Sequence, residues 1–163
     1  MARVLIVGCG CRGRMLAGAL IADGHAVRGT TRDPAMLGEI EAVGAAGVLA
    51  DPDRLATLMP ALEQVSALCW LMASATGTPE RVAALHGPRL RSLLEALVDT
   101  HVRGVVYEAA GDVDGELLAA GTVIVDEIAH TFRMPSRSVE ADPADHPAWV
   151  SAMSEAVAGV LAG

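Results

Sequence analysis

Short apolar runs alternate with longer amphipathic stretches along the whole chain. The apolar runs are rich in valine, isoleucine and leucine, and they predict six strands: Arg3–Val7, His25–Thr30, Gly47–Ala50, Val65–Leu71, Gly104–Tyr107 and Arg137–Glu140. The stretches between them predict six helical regions: Cys11–Asp23, Pro34–Val43, Pro52–Leu58, Pro79–Asp99, Asp114–Phe132 and Pro147–Leu161. This alternation is typical of an α/β fold with a three-layer, doubly wound parallel sheet. Right-handed crossovers would give the strand order 3-2-1-4-5-6, in one domain over residues 1–163.

Residues at the expected helix ends support these boundaries. Gly24 follows the first helix and Pro34 begins the second, as is usual for glycine after a helix and proline in a first turn. Asp51 is placed to be the N-cap of the third helix. His86 precedes Gly87-Pro88, and we expect that pair to break the long fourth helical region.

Three glycines follow the first strand in G-x-G-x-x-G spacing. Gly8 is expected to make the tight turn from strand to helix, and Gly10 to let a pyrophosphate approach the backbone. Gly13 is expected to let the helix pack closely on the strand. The helix N-terminus then offers free N–H groups and the positive end of its dipole to phosphates. The motif predicts a Rossmann dinucleotide-binding domain.

The end of the second strand bears on which dinucleotide binds. NAD sites usually carry an acidic residue about 20 residues after the glycines, to bind the ribose hydroxyls. Here Thr30 and Thr31 are followed by Arg32, a combination suited to a 2′-phosphate, so we favour NADP over NAD. Asp33 precedes Pro34 and is expected to start the next helix. Arg32 has the alternative role of a solvated loop charge.

Further residues are expected to line the same site. Arg12 is a second phosphate candidate, or else a surface charge, and Asp51 is a candidate adenine contact, or else a helix cap. The small side chains after the fourth strand would leave room for the nicotinamide ribose. The remaining candidate contacts are Cys9, Cys11, Leu71, Met72 and Ala73. We expect Cys9 and Cys11 to be reduced thiols that fill space, because no further ligands lie at metal-site spacing.

Composition narrows the class of protein. Hydrophobic residues make up 52% of the 163 positions but aromatic residues only 2%, so the core must be built from aliphatic side chains and methionine. No apolar run reaches the ~18 residues of a membrane span, and the N-terminus does not resemble a signal peptide. We therefore expect a cytoplasmic protein.

The net charge of −8 argues against nucleic acid as a partner. All 12 residues with a permanent positive charge are arginines. Without a lysine, the chain cannot form a Schiff base, a Walker-type phosphate site or a Tyr-x-x-x-Lys pair.

The chain resembles the atypical short-chain dehydrogenases/reductases of the NAD(P)-binding Rossmann superfamily, the group that includes NAD-dependent epimerases and dehydratases. The resemblance lies in the three glycines, in the stretch Gly29-Thr30-Thr31-Arg32, and in two later segments: Val105-Val106-Tyr107-Glu108-Ala109-Ala110-Gly111 and Val139-Glu140-Ala141-Asp142-Pro143. It implies a Rossmann fold and a nicotinamide cofactor. The family pairs its catalytic tyrosine with a lysine four residues later, whereas Gly111 stands four residues after Tyr107.

Acid–base groups are few at the expected carboxyl edge of the sheet. Tyr107 is a candidate proton donor or else a tyrosine packed under a helix, and Glu108 is a candidate base or ribose contact or else the cap of a turn. These candidates support hydride transfer to a carbonyl or imine substrate, an unidentified small molecule. A non-catalytic dinucleotide-binding redox sensor is the alternative. A third possibility is that the domain supplies only half a site, which a second subunit completes in a homodimer.

Overall fold

A six-stranded parallel sheet forms the centre of the computed structural model, which describes all residues 1–163. Its strands are β1 (Arg3–Val7), β2 (Ala26–Thr31), β3 (Ala46–Leu49), β4 (Ala67–Trp70), β5 (Gly104–Glu108) and β6 (Ser136–Val139). They are hydrogen-bonded in the order β3-β2-β1-β4-β5-β6, and every adjacent pair is parallel. The predicted fold class and strand order are confirmed.

Seven α-helices connect the strands. They are α1 (Cys11–Ala22), α2 (Leu37–Ala42), α3 (Leu55–Leu58), α4 (Pro79–Leu85), α5 (Pro88–Ala96), α6 (Gly115–Phe132) and α7 (His146–Ala162). Short 3₁₀ turns occupy Pro34–Met36, Met59–Leu62 and Leu97–Asp99. None of the helices has both the length and the apolar character needed to cross a membrane.

The helices cover both faces of the sheet and create two aliphatic cores. Helices α1, α2 and α7 pack on one face through residues such as Leu16, Ile40 and Trp149. Helices α3 to α6 pack on the other, where Leu85 and Leu90 are fully buried. Because successive strand residues point to opposite faces, the central strands β1, β4 and β5 contribute side chains to both cores.

The expected helix ends hold in part, since Pro34 begins a 3₁₀ turn and α2 follows it from Leu37. Gly24 has a φ of +94° and ends α1, and the fourth helical region breaks at Gly87 into α4 and α5. The prediction that Asp51 caps the third helix is wrong, because α3 begins at Leu55. The Asp51 carboxylate instead accepts a 2.9 Å hydrogen bond from the Asp53 N–H and closes a turn around Pro52.

Candidate functional site

A cleft of about 350 Å³ lies along the carboxyl ends of the strands, where the sheet order reverses between β1 and β4. In open α/β sheets this is the place where ligands bind. Most of the residues predicted from the sequence line it: Gly8, Cys9, Gly10, Cys11, Arg12, Gly13, Thr30, Thr31, Arg32, Leu71, Met72 and Glu108. Asp51, Ala73 and Tyr107 do not line it, although Ala50 and Pro52, on either side of Asp51, do.

The glycine turn has the geometry that its spacing predicts. Gly8 has a φ of +86°, and a Cβ there would lie 2.6 Å from the carbonyl oxygen of Leu71. At Gly13 a Cβ would lie 3.2 Å from the carbonyl oxygen of Gly8, so the helix packs closely against the turn. At Gly10 a Cβ would meet no protein atom within 4 Å. The backbone is therefore open to a ligand at Gly10 and closed by protein at the other two positions.

The first turn of α1 presents free donors to this opening. The N–H groups of Cys11, Arg12 and Gly13 have no acceptor in the protein, and the first bond of the helix runs from the Arg14 N–H to the Gly10 carbonyl. The N-cap residue Gly10 has no side chain to satisfy them. Three aligned N–H groups and the positive end of the helix dipole make this turn suited to a phosphate.

Thr30 of β2 is hydrogen-bonded to the glycine turn, so its hydroxyl is already engaged within the protein. Its hydroxyl accepts a 3.1 Å hydrogen bond from the Gly8 N–H, and its carbonyl accepts a 2.9 Å bond from the Cys9 N–H. Thr31 is also engaged, because its hydroxyl accepts from the Asp33 N–H. Asp33 caps the 3₁₀ turn at Pro34–Met36 through the Ala35 N–H, as expected.

Two of the arginines that line the cleft have no partner. Arg14 and Arg32 both line the cleft, and neither side chain forms an ion pair or a hydrogen bond within the protein. Sequence reasoning identified Arg32 but missed Arg14. Its position directly after the last glycine of the motif, within the first turn of the helix, was the signal available for it.

Arg12 and Glu108 form an ion pair at the β5 end of the cleft. The Arg12 Nη2 lies 3.1 Å from Oε2 of Glu108 and 3.2 Å from the Ser74 hydroxyl. The guanidinium carbon lies 5.5 Å from the ring centre of Trp149 on α7, a cation–π contact. Glu108 is completely buried, and its Oε1 accepts from the Ala73 N–H at 3.1 Å. Burial raises the pKa of Glu108, while Arg12, the Ala73 N–H and the nearby Trp149 indole oppose the rise.

Tyr107 points away from the cleft, to the face covered by α6. Its hydroxyl lies 2.6 Å from Nδ1 of the buried His86, whose Nε2 lies 2.8 Å from the Met72 carbonyl oxygen. A carbonyl oxygen can only accept, so Nε2 carries the proton, and Nδ1 accepts from the tyrosine. Burial raises the pKa of Tyr107, as does the Glu108 charge, and burial lowers the pKa of His86. The structure does not bring the Tyr107 hydroxyl to the site.

The wall opposite the glycine turn is the loop after β4, which the sequence predicted to lie at the cofactor site, although Thr76 and Arg81 were not identified. Ser74, Ala75 and Thr76 line the cleft after β4, and Arg81 of α4 lies beside them. The Arg81 Nε lies 2.5 Å from Oδ2 of Asp53, and its Nη1 bonds to the Thr76 carbonyl oxygen. Arg81 is therefore neutralised, unlike Arg14 and Arg32.

The three cysteines are free thiols. Cys9 packs against the backbone of β2, where a Cβ on Gly29 would lie 2.6 Å from its sulfur, and burial raises its pKa to about 11. Burial likewise raises the pKa of Cys69 to about 12. Cys9 fills space, as expected, and so does Cys69. Cys11, for which the same role was expected, is instead exposed at the cleft.

No protein-family model and no curated protein matches this sequence. Solved structures match its fold. A short-chain dehydrogenase/reductase superfamily protein from Agrobacterium tumefaciens with bound NAD has a TM-score of 0.70 at 22% identity, over 85% of this chain and 48% of that one. A UDP-glucose-4-epimerase from Stenotrophomonas maltophila with bound NAD has a TM-score of 0.71 at 15% identity, over 86% and 52%. A triphenylmethane reductase from Citrobacter sp., complexed with NADP(H), has a TM-score of 0.62 at 14% identity, over 84% and 48%.

These similarities define the class of fold. The chain has a Rossmann fold similar to that of these solved structures, and the sequence resemblance predicted this fold. It spans about half the length of each of these solved structures.

Proposed function

We propose that this chain binds a nicotinamide dinucleotide and prefers NADP(H) to NAD(H). One observation carries the proposal: the glycine turn opens onto three free N–H groups, and the unpaired cations Arg14 and Arg32 line the same cleft. The diphosphate would be held by the N–H groups of the turn. The nicotinamide cofactors of the matched structures support the same class of ligand.

The choice of NADP(H) follows from charge at the end of β2. The position that would bind both ribose hydroxyls in an NAD site carries no free carboxylate here, because Asp33 caps the next turn. Arg32 is exposed and Arg14 is half-buried, so both guanidinium groups can reach a 2′-phosphate without breaking an existing bond. Arginine suits phosphate because its planar fork makes paired, charge-assisted hydrogen bonds.

We further propose an oxidoreductase that acts on a small carbonyl or imine substrate. A bound NADPH would supply the hydride. Within the chain, Glu108 is the acid–base group that lines the cleft, since Tyr107 is bonded to His86 on the other face of the sheet. The alternative is a dinucleotide-binding redox sensor without catalysis. The placement of Tyr107 and the lack of lysine in the chain favour that alternative, because the tyrosine–lysine pair of the superfamily is not formed.

Titration calorimetry with NADPH, NADH and both oxidised forms tests the binding proposal. A charge-assisted hydrogen bond contributes about 1.5–3 kcal/mol, so R32A or R14A should weaken NADPH binding about 10- to 100-fold and leave NADH binding unchanged. Arg103 is an exposed arginine without an ion pair, placed before β5 at the opposite edge of the sheet, so R103A is the matched control. Failure of every dinucleotide to bind, or an equal loss for NADPH and NADH, would contradict the proposal.

Turnover separates the two functional alternatives. An oxidoreductase should oxidise NADPH with at least one member of a panel of carbonyl and imine compounds. A sensor should bind NADPH with the same specificity and give no turnover with any of them.

We also propose that a homodimer completes the site, since β6 pairs with β5 alone and leaves one strand edge free. A monomer by gel filtration at high concentration would exclude that assembly.

A further inference from the structure

Glu108 is a buried carboxylate with one cationic contact. Its side chain is 1% exposed, and it receives one bond from Arg12 and one from the Ala73 N–H. A carboxylate removed from water stays ionised only while such partners hold it, because desolvation favours the neutral acid. The charge of Glu108 therefore depends on what else Arg12 binds.

The groups packed around Glu108 offer no other charge to replace Arg12. Helix α7 contributes the indole of Trp149, whose Nε1 is buried without a hydrogen-bond partner of normal geometry. The neighbouring strand β6 places Val139 opposite Glu108, and within β5 the neutral Tyr107 points to the other face. The acidic side chains of the loops after β5 and β6 are exposed and form no bond with Glu108: Asp112, Asp114, Glu140, Asp142 and Asp145.

Arg12 is also part of the turn that faces the ligand. Its own N–H is one of the three free donors at the start of α1, and its side chain is 25% exposed, so the guanidinium is accessible from the cleft. The buried Nε of Arg12 has no partner, and a single nitrogen, Nη2, serves both Glu108 and Ser74. An anion at this turn would attract the same guanidinium that neutralises Glu108, and would also repel the carboxylate.

We propose that binding of a diphosphate nucleotide at the glycine turn is coupled to uptake of one proton by Glu108. The inference rests on the proposed dinucleotide binding and adds its pH dependence. Arg12 shifts its charge from the carboxylate to the diphosphate, and Glu108 takes a proton from solvent to become a neutral acid. The affinity for the nucleotide then falls as the pH rises, by up to about tenfold per pH unit where one full proton is taken up.

Calorimetry of the full chain with NADPH, in PIPES and in imidazole buffer at pH values from 6.5 to 7.5, tests the coupling. The change in observed enthalpy with buffer ionisation enthalpy gives the number of protons taken up. The 2′-phosphate titrates near pH 6 and contributes its own protons, so the relevant quantity is the difference between the wild type and E108Q. We expect the wild type to take up more protons than E108Q, by up to one, and R12A to behave like E108Q. Equal uptake in all three proteins overturns the inference.

An infrared difference spectrum of the wild type on NADPH binding gives a test that needs no variant. We expect a carboxylic-acid C=O band to appear while a carboxylate band is lost. Binding without either change also overturns the coupling and leaves the proposed function standing. Failure of NADPH to bind at all refutes the proposed function instead, so the two failures are distinguishable.

Discussion

Removal of the Tyr107 hydroxyl tests whether this residue is structural. In Y107F the donor to His86 Nδ1 is lost, while the ring keeps its place among the apolar residues of β4 and α6. The imidazole cannot compensate by changing tautomer, because Nε2 must keep its proton for the Met72 carbonyl. The substitution therefore leaves a buried acceptor without a donor.

The expected cost follows from burial. His86 is 1% exposed and Tyr107 is fully buried, so no solvent replaces the lost bond. An unsatisfied buried polar group costs about 1–3 kcal/mol. For a chain of this length, each kcal/mol corresponds to about 2–4 °C in Tm, so Y107F should melt about 2–12 °C lower.

Urea unfolding followed by tryptophan fluorescence measures this change, because Trp70 and Trp149 are both fully buried in the folded protein. Affinity for NADPH should stay within about threefold of the wild type, under about 0.7 kcal/mol, because the hydroxyl is outside the cleft. Wild-type stability together with a hundredfold loss of binding or turnover would refute the assignment, since it would place the hydroxyl in the functional site.

Two further perturbations follow from the glycine turn and from His86. G10A should keep the stability of the wild type and weaken dinucleotide binding at least tenfold, since its Cβ meets no protein atom and faces the open cleft. G13A is the matched comparison and should lower the urea midpoint, because its Cβ would contact the Gly8 carbonyl. Loss of stability in G10A, with G13A unaffected, would contradict the conclusion that the backbone is open to a ligand at Gly10. Burial lowers the pKa of His86 below 6.5, so its stabilising contribution is complete above pH 6.5 and is lost as the pH falls through its folded-state pKa. The stability difference between the wild type and H86Q, measured by urea unfolding from pH 7.5 to 5, should shrink by up to about 1.4 kcal/mol per pH unit; a constant difference would show that His86 does not titrate.

The fold could be predicted from the sequence because local signals agree with one another. Apolar runs, helix-ending glycines and the spacing of Gly8, Gly10 and Gly13 all favour one topology, and the strand order follows from handed crossovers. Asp51 shows where such local reasoning fails. Its side chain fits a helix cap and an Asx turn equally well, and which one forms depends on how the chain continues after Pro52.

The acid–base residues of the site were harder to predict, because the two candidates are neighbours in one strand. Tyr107 and Glu108 are adjacent in β5, so their side chains must point to opposite faces of the sheet, and they cannot act at one substrate. The alternation of side chains between the two faces could be predicted from the sequence. Which face lines the cleft could not be predicted, because α1 and α7 place Arg12 and Trp149 beside Glu108, and these residues are distant from it in the chain.

The loop after β4 connects these two sides of the sheet. On the face covered by α3 to α6, His86 donates to the Met72 carbonyl oxygen. On the face covered by α1, α2 and α7, Glu108 accepts from the Ala73 N–H and Arg12 donates to the Ser74 hydroxyl. Three consecutive loop residues are thus held by side chains from both faces of the sheet, at the wall opposite the glycine turn, and two of these side chains, His86 and Glu108, are buried. A cleft held in this way has little conformational entropy to lose when a ligand binds. Tyr107 therefore has a structural role beside the cleft without contacting it. Through His86 it stabilises one side of the wall, and the Arg12–Glu108 pair stabilises the other.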